Sequence, residues 1–189
     1  MRNIASYGFR NFYISVNYKK EKIIKHLNNI KSFKGKIEYL KEDMPLGTIG
    51  PFGLMKDLKS STIVINGDII TKVNFQNLLN FHNINNADAT ICIKMIENSV
   101  PYGVLSTSGI RLKSFEEKPK KNVKINAGIY VFNPSVRKMV KKNSQMDLPD
   151  LIKKLLVNKM KVICFPIHEY WIDVGEISTL ERANLEFND

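Results

Sequence analysis

The sequence is short of arginine, cysteine and long apolar runs, and each shortage excludes something. Among 29 basic residues only five are arginine: Arg2, Arg10, Arg111, Arg137 and Arg182. Arginine is the usual reader of phosphates and base edges. The net charge of +11 therefore speaks for a lysine-coated, solvated exterior and against a nucleic-acid interface. The lysines are also dispersed over residues 118–124, 138–142 and 153–161, with no nucleic-acid-binding motif among them. Cys92 and Cys164 each sit inside an apolar run, Thr90–Ile93 and Val162–Phe165. That placement predicts two reduced, buried thiols and no structural disulfide.

The longest apolar stretches, such as Thr62–Ile65 and Gly128–Phe132, are strand-sized and far too short to span a bilayer. The first ten residues carry two arginines and no apolar segment of a signal peptide. The expectation is a cytoplasmic protein with no membrane partner. His26, His82 and His168 lack metal-ligand spacing, and His82 falls on a helix face as a core residue. There is no nucleophile elbow, Walker loop or Cys/His cluster, so hydrolase chemistry has nothing to rest on.

What is present is a regular alternation. The 189 residues are 43% hydrophobic, without repeat or linker, which fits a single domain over 1–189. Strands are expected at Asn11–Asn17, Lys36–Lys41, Thr62–Asn66 and Ala89–Lys94. Helices are expected at Lys20–Asn29 (stripe Ile23, Ile24, Leu27), Gly50–Leu58 and Asn74–Asn85. A hairpin follows, Tyr102–Thr107 and Arg111–Glu117, turning at Ser108-Gly109. Then come strand Lys124–Phe132, helices Pro134–Lys142 and Leu148–Asn158, and strand Lys161–Ile167. A last helix opens on a Ser178/Glu181 capping box and ends near Phe187. Strands alternating with helices imply an α/β fold with a mostly parallel sheet, and the hairpin an antiparallel extension.

Several short motifs carry candidate chemistry. In Asn66-Gly67-Asp68, Asp68 follows an apolar strand, where open α/β sheets bind ligands. It reads either as a Mg²⁺ carboxylate or as a turn cap. Asp173, in Tyr170-Trp171-Ile172-Asp173-Val174-Gly175, is a second acid able to meet it across a cleft. In Glu116-Glu117-Lys118-Pro119, strand alternation sends Glu117 and Lys118 to opposite faces unless a bulge near Pro119 turns both to a ligand. The alternative is an exposed charged strand end. Leu46-Gly47-Thr48 leads into a helix, with Gly47 and Gly50 permitting close backbone approach to a flat ligand. Gly103 in Pro101-Tyr102-Gly103, and Asn126 with Gly128 in Asn126-Ala127-Gly128-Ile129-Tyr130, could lie against a sugar.

The order of these motifs is specific: L-G-T-x-G, N-G-D, P-Y-G-V, E-E-K-P, N-A-G-I-Y-V, W-I-D-V-G. It resembles the nucleoside-diphospho-sugar pyrophosphorylases, or sugar-1-phosphate nucleotidyltransferases, from about Tyr7 to Asn184. Asp147-Leu148-Pro149 together with His168-Glu169-Tyr170-Trp171 looks closest to bacterial guanylyltransferase-like members serving surface-glycan sugars, of the glucosamine-1-phosphate or mannose-1-phosphate type. The resemblance implies a Rossmann-like nucleotide-diphospho-sugar transferase fold. It also implies a reaction of a nucleoside triphosphate (GTP favoured) with a sugar 1-phosphate to give a nucleotide sugar and pyrophosphate. By the same resemblance Asp68 and Asp173 hold Mg²⁺, and Glu117, Gly103, Asn126 and Gly128 hold the sugar. Lys118 takes the sugar's phosphate, Leu46, Gly47 and Thr48 border the nucleobase, and Gly67 belongs to the substrate site with Asp68.

Two departures from the family pattern carry expectations. Ile49, Pro51 and Phe52 replace small residues and would crowd the base pocket. The family's opening signature, G-x-G-T-R-L-x-P-L-T, and its strand between Asn11–Asn17 and Thr62–Asn66 are absent. The expectation is an N-terminally truncated domain, nearly inactive by itself, with two strand edges unpaired or forced together. A sugar-phosphate-binding module, one half of a split enzyme complemented by an N-terminal fragment, and a homo-oligomer are the accompanying alternatives.

Overall fold

The computed structural model describes residues 1–189 except 31, 32, 34, 57 and 187–189. Its centre is a four-stranded sheet in the order β3 (Thr62–Ile65), β8 (Lys120–Phe132), β5 (Ala89–Ser99), β9 (Val162–Ile167). Strands β3, β5 and β9 point the same way, as the alternation of strands and helices implies. Strand β8 runs antiparallel between β3 and β5, so the sheet is mixed.

The inner half of β8, Ala127 to Phe132, is buried throughout, which is why its sequence shows no polar alternation. Its residues nevertheless divide by parity. Tyr130 and Phe132 join a core with Ile49, Phe52, Val136, Leu151 and Leu155. Ala127, Ile129 and Val131 join the opposite core with Val73, Phe75, Leu78 and Cys92. Helices α4 (Pro134–Arg137) and α5 (Leu148–Val157) supply the first core, and α3 (Phe75–Ile84) the second. Asn74 starts α3 by accepting from Asn77 N at 3.0 Å.

Three smaller sheets surround this centre. Helix α1 (Arg2–Ser6) precedes β1 (Asn11–Val16), which pairs in parallel with β2 (Lys36–Lys41) across α2 (Lys20–Asn28). Strand β4 (Ile69–Thr71) pairs antiparallel with β10 (Trp171–Asp173). Strands β6 (Val104–Ser108) and β7 (Arg111–Glu116) form the expected hairpin, turning at Gly109 with φ +59°. Helix α6 (Ile177–Glu186) closes the order. Among the described residues β1 pairs only with β2 and β3 only with β8.

Several expectations are corrected. Gly50–Leu58 is not an α-helix but a 3₁₀ turn over Gly50–Leu54. The helix from Pro134 ends at Arg137 rather than Lys142, because successive i→i−3 bonds at Lys138, Met139 and Val140 tighten the chain. Helix α6 begins at Ile177, with Leu180 N bonded to Glu176 O, so Ser178 lies inside its first turn and caps nothing. Its expected end at Phe187 falls outside the described residues. The α2 stripe is not buried, and Cys164 on edge strand β9 is exposed.

Candidate active site

The β4–β10 ladder brings two distant aspartates together. It pairs Trp171 with Thr71 and Asp173 with Ile69, and Val174 N donates to Asp68 O at 2.8 Å. Gly175 sits between the two carboxylates. A Cβ there would stand 3.1 Å from Asp173 Oδ1 and 3.6 Å from Asp68 Oδ2, so glycine keeps the space clear. Gly175 N also donates to Asp173 Oδ1 at 2.9 Å, which orients that carboxylate. Both aspartates are exposed, and the space beside Gly67 is open. No group of three acidic, histidine or cysteine ligands occurs among the described residues. Two hard oxygen donors fit an ion such as Mg²⁺ that keeps most of its positions for water or substrate phosphate.

Next to the pair, β8 is bulged. Ile91 of β5 faces Tyr130 but Ile93 faces Asn126, so Cys92 alone stands against Ala127–Ile129. Gly128 makes the bulge possible at φ +68°, and a Cβ there would press on Asn66 Nδ2 and Ile69 Cγ1 at 3.0 and 3.1 Å. Asn126 is locked on both sides: its Oδ1 accepts from Gly128 N at 3.2 Å and its Nδ2 donates to the Tyr130 hydroxyl at 2.8 Å. Trp171 Nε1 donates to Ala127 O at 2.8 Å. Burial raises the pKa of the Tyr130 phenol, with the charge of Asp68 among the smaller causes. Asn66, Asp68, Asn126, Gly128 and Asp173 thus form one constellation.

A second group lies on the hairpin. Strand β7 ends at Glu116, and Lys118 adopts a left-handed φ of +46°, which breaks the strand alternation at the Glu117-Lys118 step. A Cβ on Gly103 would lie 3.1 Å from Glu117 Oε2 and 2.7 Å from the Phe115 ring, so only glycine fits there. Val100 N donates to Pro119 O at 3.1 Å, anchoring the turn.

The third group is the loop Leu46-Gly47-Thr48. Leu46 is buried, and Gly47 takes φ +75°. The expected crowding by Ile49 and Phe52 does not occur. Both side chains turn into the core, 1% and 4% exposed, with the Phe52 ring 5.6 Å from Phe132. Half-buried Pro51 lies within the 3₁₀ turn.

Sequence reading missed Trp171, Tyr130 and Asp147. Trp171 was visible as the sole tryptophan inside a motif, but nothing along the chain points to its carbonyl partner. Asp147 enters the sequence reading only within Asp147-Leu148-Pro149, where nothing along the chain points to Thr48. His82 is a core residue as expected, held between the Thr90 hydroxyl at 2.8 Å and Asn133 Oδ1 at 3.0 Å.

Comparison with known proteins places this geometry in context. A family model described as Nucleotidyl transferase matches residues 1–189. The chain is 32% identical over 187 residues to a mannose-1-phosphate guanyltransferase of Schizosaccharomyces pombe, covering 92% of this chain and 50% of that protein. It is 33% identical over 186 residues to the mannose-1-phosphate guanylyltransferase catalytic subunit beta of Dictyostelium discoideum, with 92% and 50% covered. The chain therefore spans about half the length of the curated relatives it matches. Among solved structures, HddC from Yersinia pseudotuberculosis complexed with GMP-PN superposes with a TM-score of 0.75 at 21% identity, over 100% of this chain and 83% of that one.

Proposed function

Because the chain belongs to the nucleotidyl transferase family, we propose that it serves guanylyl transfer from GTP to a sugar 1-phosphate in making a surface-glycan precursor. The observation that carries this reading is the convergence of Asp68 and Asp173 on the space beside Gly175. The relatives' names, with mannose 1-phosphate and a guanylyl group, support the substrate pair. The guanine-nucleotide analogue bound by the HddC neighbour agrees with it. In the reaction an oxygen of the sugar phosphate attacks the α-phosphorus, the bond from that phosphorus to the α–β bridging oxygen breaks, and pyrophosphate leaves.

Each residue then has a task. Asp68 and Asp173 would hold Mg²⁺, which when bound would offset the charge of the phosphates. Lys118 meets the sugar phosphate, with Glu117, Gly103, Asn126 and Gly128 against the sugar. Gly67 leaves room beside Asp68, and Leu46, Gly47 and Thr48 would border the base. Alignment of two anions and neutralisation of their charge supply most of the acceleration, with little demand for a general base. The setting proposed is the cytoplasm; among the described residues no helix is long and apolar enough to cross a membrane.

Calorimetric titration with mannose 1-phosphate, glucosamine 1-phosphate and GTP, each with Mg²⁺, tests the reading. One saturable site for a sugar 1-phosphate and one for GTP are expected. Binding of neither overturns it.

Among the described residues β1 and β3 each leave one side unpaired, which favours a second arrangement, in which this chain works with a complementing glycine-rich segment or as a homo-oligomer. Pyrophosphate release that rises on adding a peptide carrying the G-x-G-T-R-L-x-P-L-T signature supports complementation. Release that the peptide leaves unchanged counts against it.

A further inference from the structure

Asp147 stands where an aspartate ordinarily caps its own helix, immediately before α5, yet it makes no such bond. Its Oδ1 instead accepts from Thr48 N at 2.9 Å and from Thr48 Oγ1 at 3.3 Å, across 99 residues of sequence. Thr48 Oγ1 in turn accepts from Leu148 N at 2.9 Å, so the threonine supplies the cap that α5 lacks. The two segments exchange partners.

The surrounding backbone closes the same seam. Ile49 N and Gly50 N both donate to Met146 O at 3.1 Å, and Met146 N donates to Leu46 O at 2.9 Å. A Cβ on Gly47 would lie 2.7 Å from both Asp147 Oδ1 and Met146 O, so the approach admits glycine alone. Farther along, Arg137 donates through Nε and Nη2 to the carbonyls of Met55 and Gly53. Thr48 keeps neither its amide nor its hydroxyl hydrogen for a ligand. The loop therefore meets a ligand through its backbone shape, which Asp147 holds at Thr48, Met146 at Leu46, Ile49 and Gly50, and Glu42 Oε2 at Leu46 N.

Resting on the nucleotidyl-transfer reading, we propose that Asp147 is a positioning residue of the nucleotide subsite, fixing Leu46-Gly47-Thr48 where it borders the base. The carboxylate needs only its acceptor oxygen for this, so an amide of the same shape preserves the role.

The test compares wild type, Asp147→Ala and Asp147→Asn by two measurements on the whole chain: amide hydrogen exchange at Thr48, and calorimetric affinity for GTP and for mannose 1-phosphate. In Asp147→Ala, Thr48 exchange is expected to quicken about tenfold and GTP affinity to fall about fivefold or more, the value of one ordinary hydrogen bond. Affinity for mannose 1-phosphate stays within about twofold, and Asp147→Asn stays within about threefold of wild type throughout. Unchanged Thr48 exchange in Asp147→Ala overturns the proposal, as does an equal loss of GTP and sugar phosphate, which marks mere unfolding. Failure of the wild type to bind GTP overturns the functional reading and the nucleotide role together. Exchange at Thr48 then still decides whether Asp147 holds the loop.

Discussion

The two cysteines separate cleanly by their surroundings. Burial pushes the Cys92 thiol up to about 12 from an ordinary 9.0, with smaller contributions from Glu169 and Cys164, whereas Cys164 is exposed. One thiol per native chain is expected to react with iodoacetamide at pH 8, mapping to Cys164, and the second only after denaturation. Between about pH 9 and 12 the unfolded chain has released the Cys92 proton that the fold retains, so the thiol's contribution to stability falls as pH rises through that window. Gly128 offers a second residue-level test. Gly128→Ala places a Cβ 3.0 Å from Asn66 Nδ2 at a φ of +68°. It should cost about 1–3 kcal/mol in urea unfolding, more than an alanine at Gly109, beside which nothing lies within 4 Å.

At the scale of elements, the β8 bulge and the β4–β10 ladder form one device. Trp171 begins β10, and its indole holds the bulge through Ala127 O. Trp171→Phe leaves that carbonyl without its donor and should lower stability by about 1–3 kcal/mol, read as a lowered thermal midpoint. Little of this device is legible along the chain. Asn126-Ala127-Gly128 announces itself as a glycine beside polar groups, but a bulge exists only relative to a partner strand, and the partner is Cys92 in β5. The four central strands are legible because apolar runs such as Thr62–Ile65 and Gly128–Phe132 are strand-sized, whereas β4 and β10, three residues each, leave no such run and go unforeseen. The helix from Pro134 stops short of Lys142 where the following residues pack on the 3₁₀ turn, a Cβ on Gly53 lying 2.7 Å from Lys141 O, a tertiary demand with no local signature. Ile49 and Phe52 misled for a related reason. Position in a motif suggested a pocket, whereas the 3₁₀ turn rotates both into the core.

Over the whole molecule, the charge of +11 is spread among exposed lysines rather than gathered on a reading surface. A charge so arranged draws anions generally, and the draw weakens with salt. Duplex DNA should therefore show no saturable binding at about 0.15 M salt, whereas the proposed GTP site is expected to stay saturable there. The sheets divide the molecule in the same sense as its sites. The metal-competent pair and the bulge lie where β4–β10 meets β8, the Glu117–Gly103 contact lies on the hairpin, and the Leu46–Thr48 loop is clasped to the start of α5. In the proposed function these groups are joined through one ion that Asp68 and Asp173 would hold. Electron paramagnetic resonance titration with Mn²⁺ in place of Mg²⁺, in the presence of GTP and mannose 1-phosphate, tests that joint directly in wild type, Asp68→Asn and Asp173→Asn. One bound ion per wild-type chain is expected, with affinity lower by about tenfold or more in each variant. Equal affinity in all three proteins would contradict it.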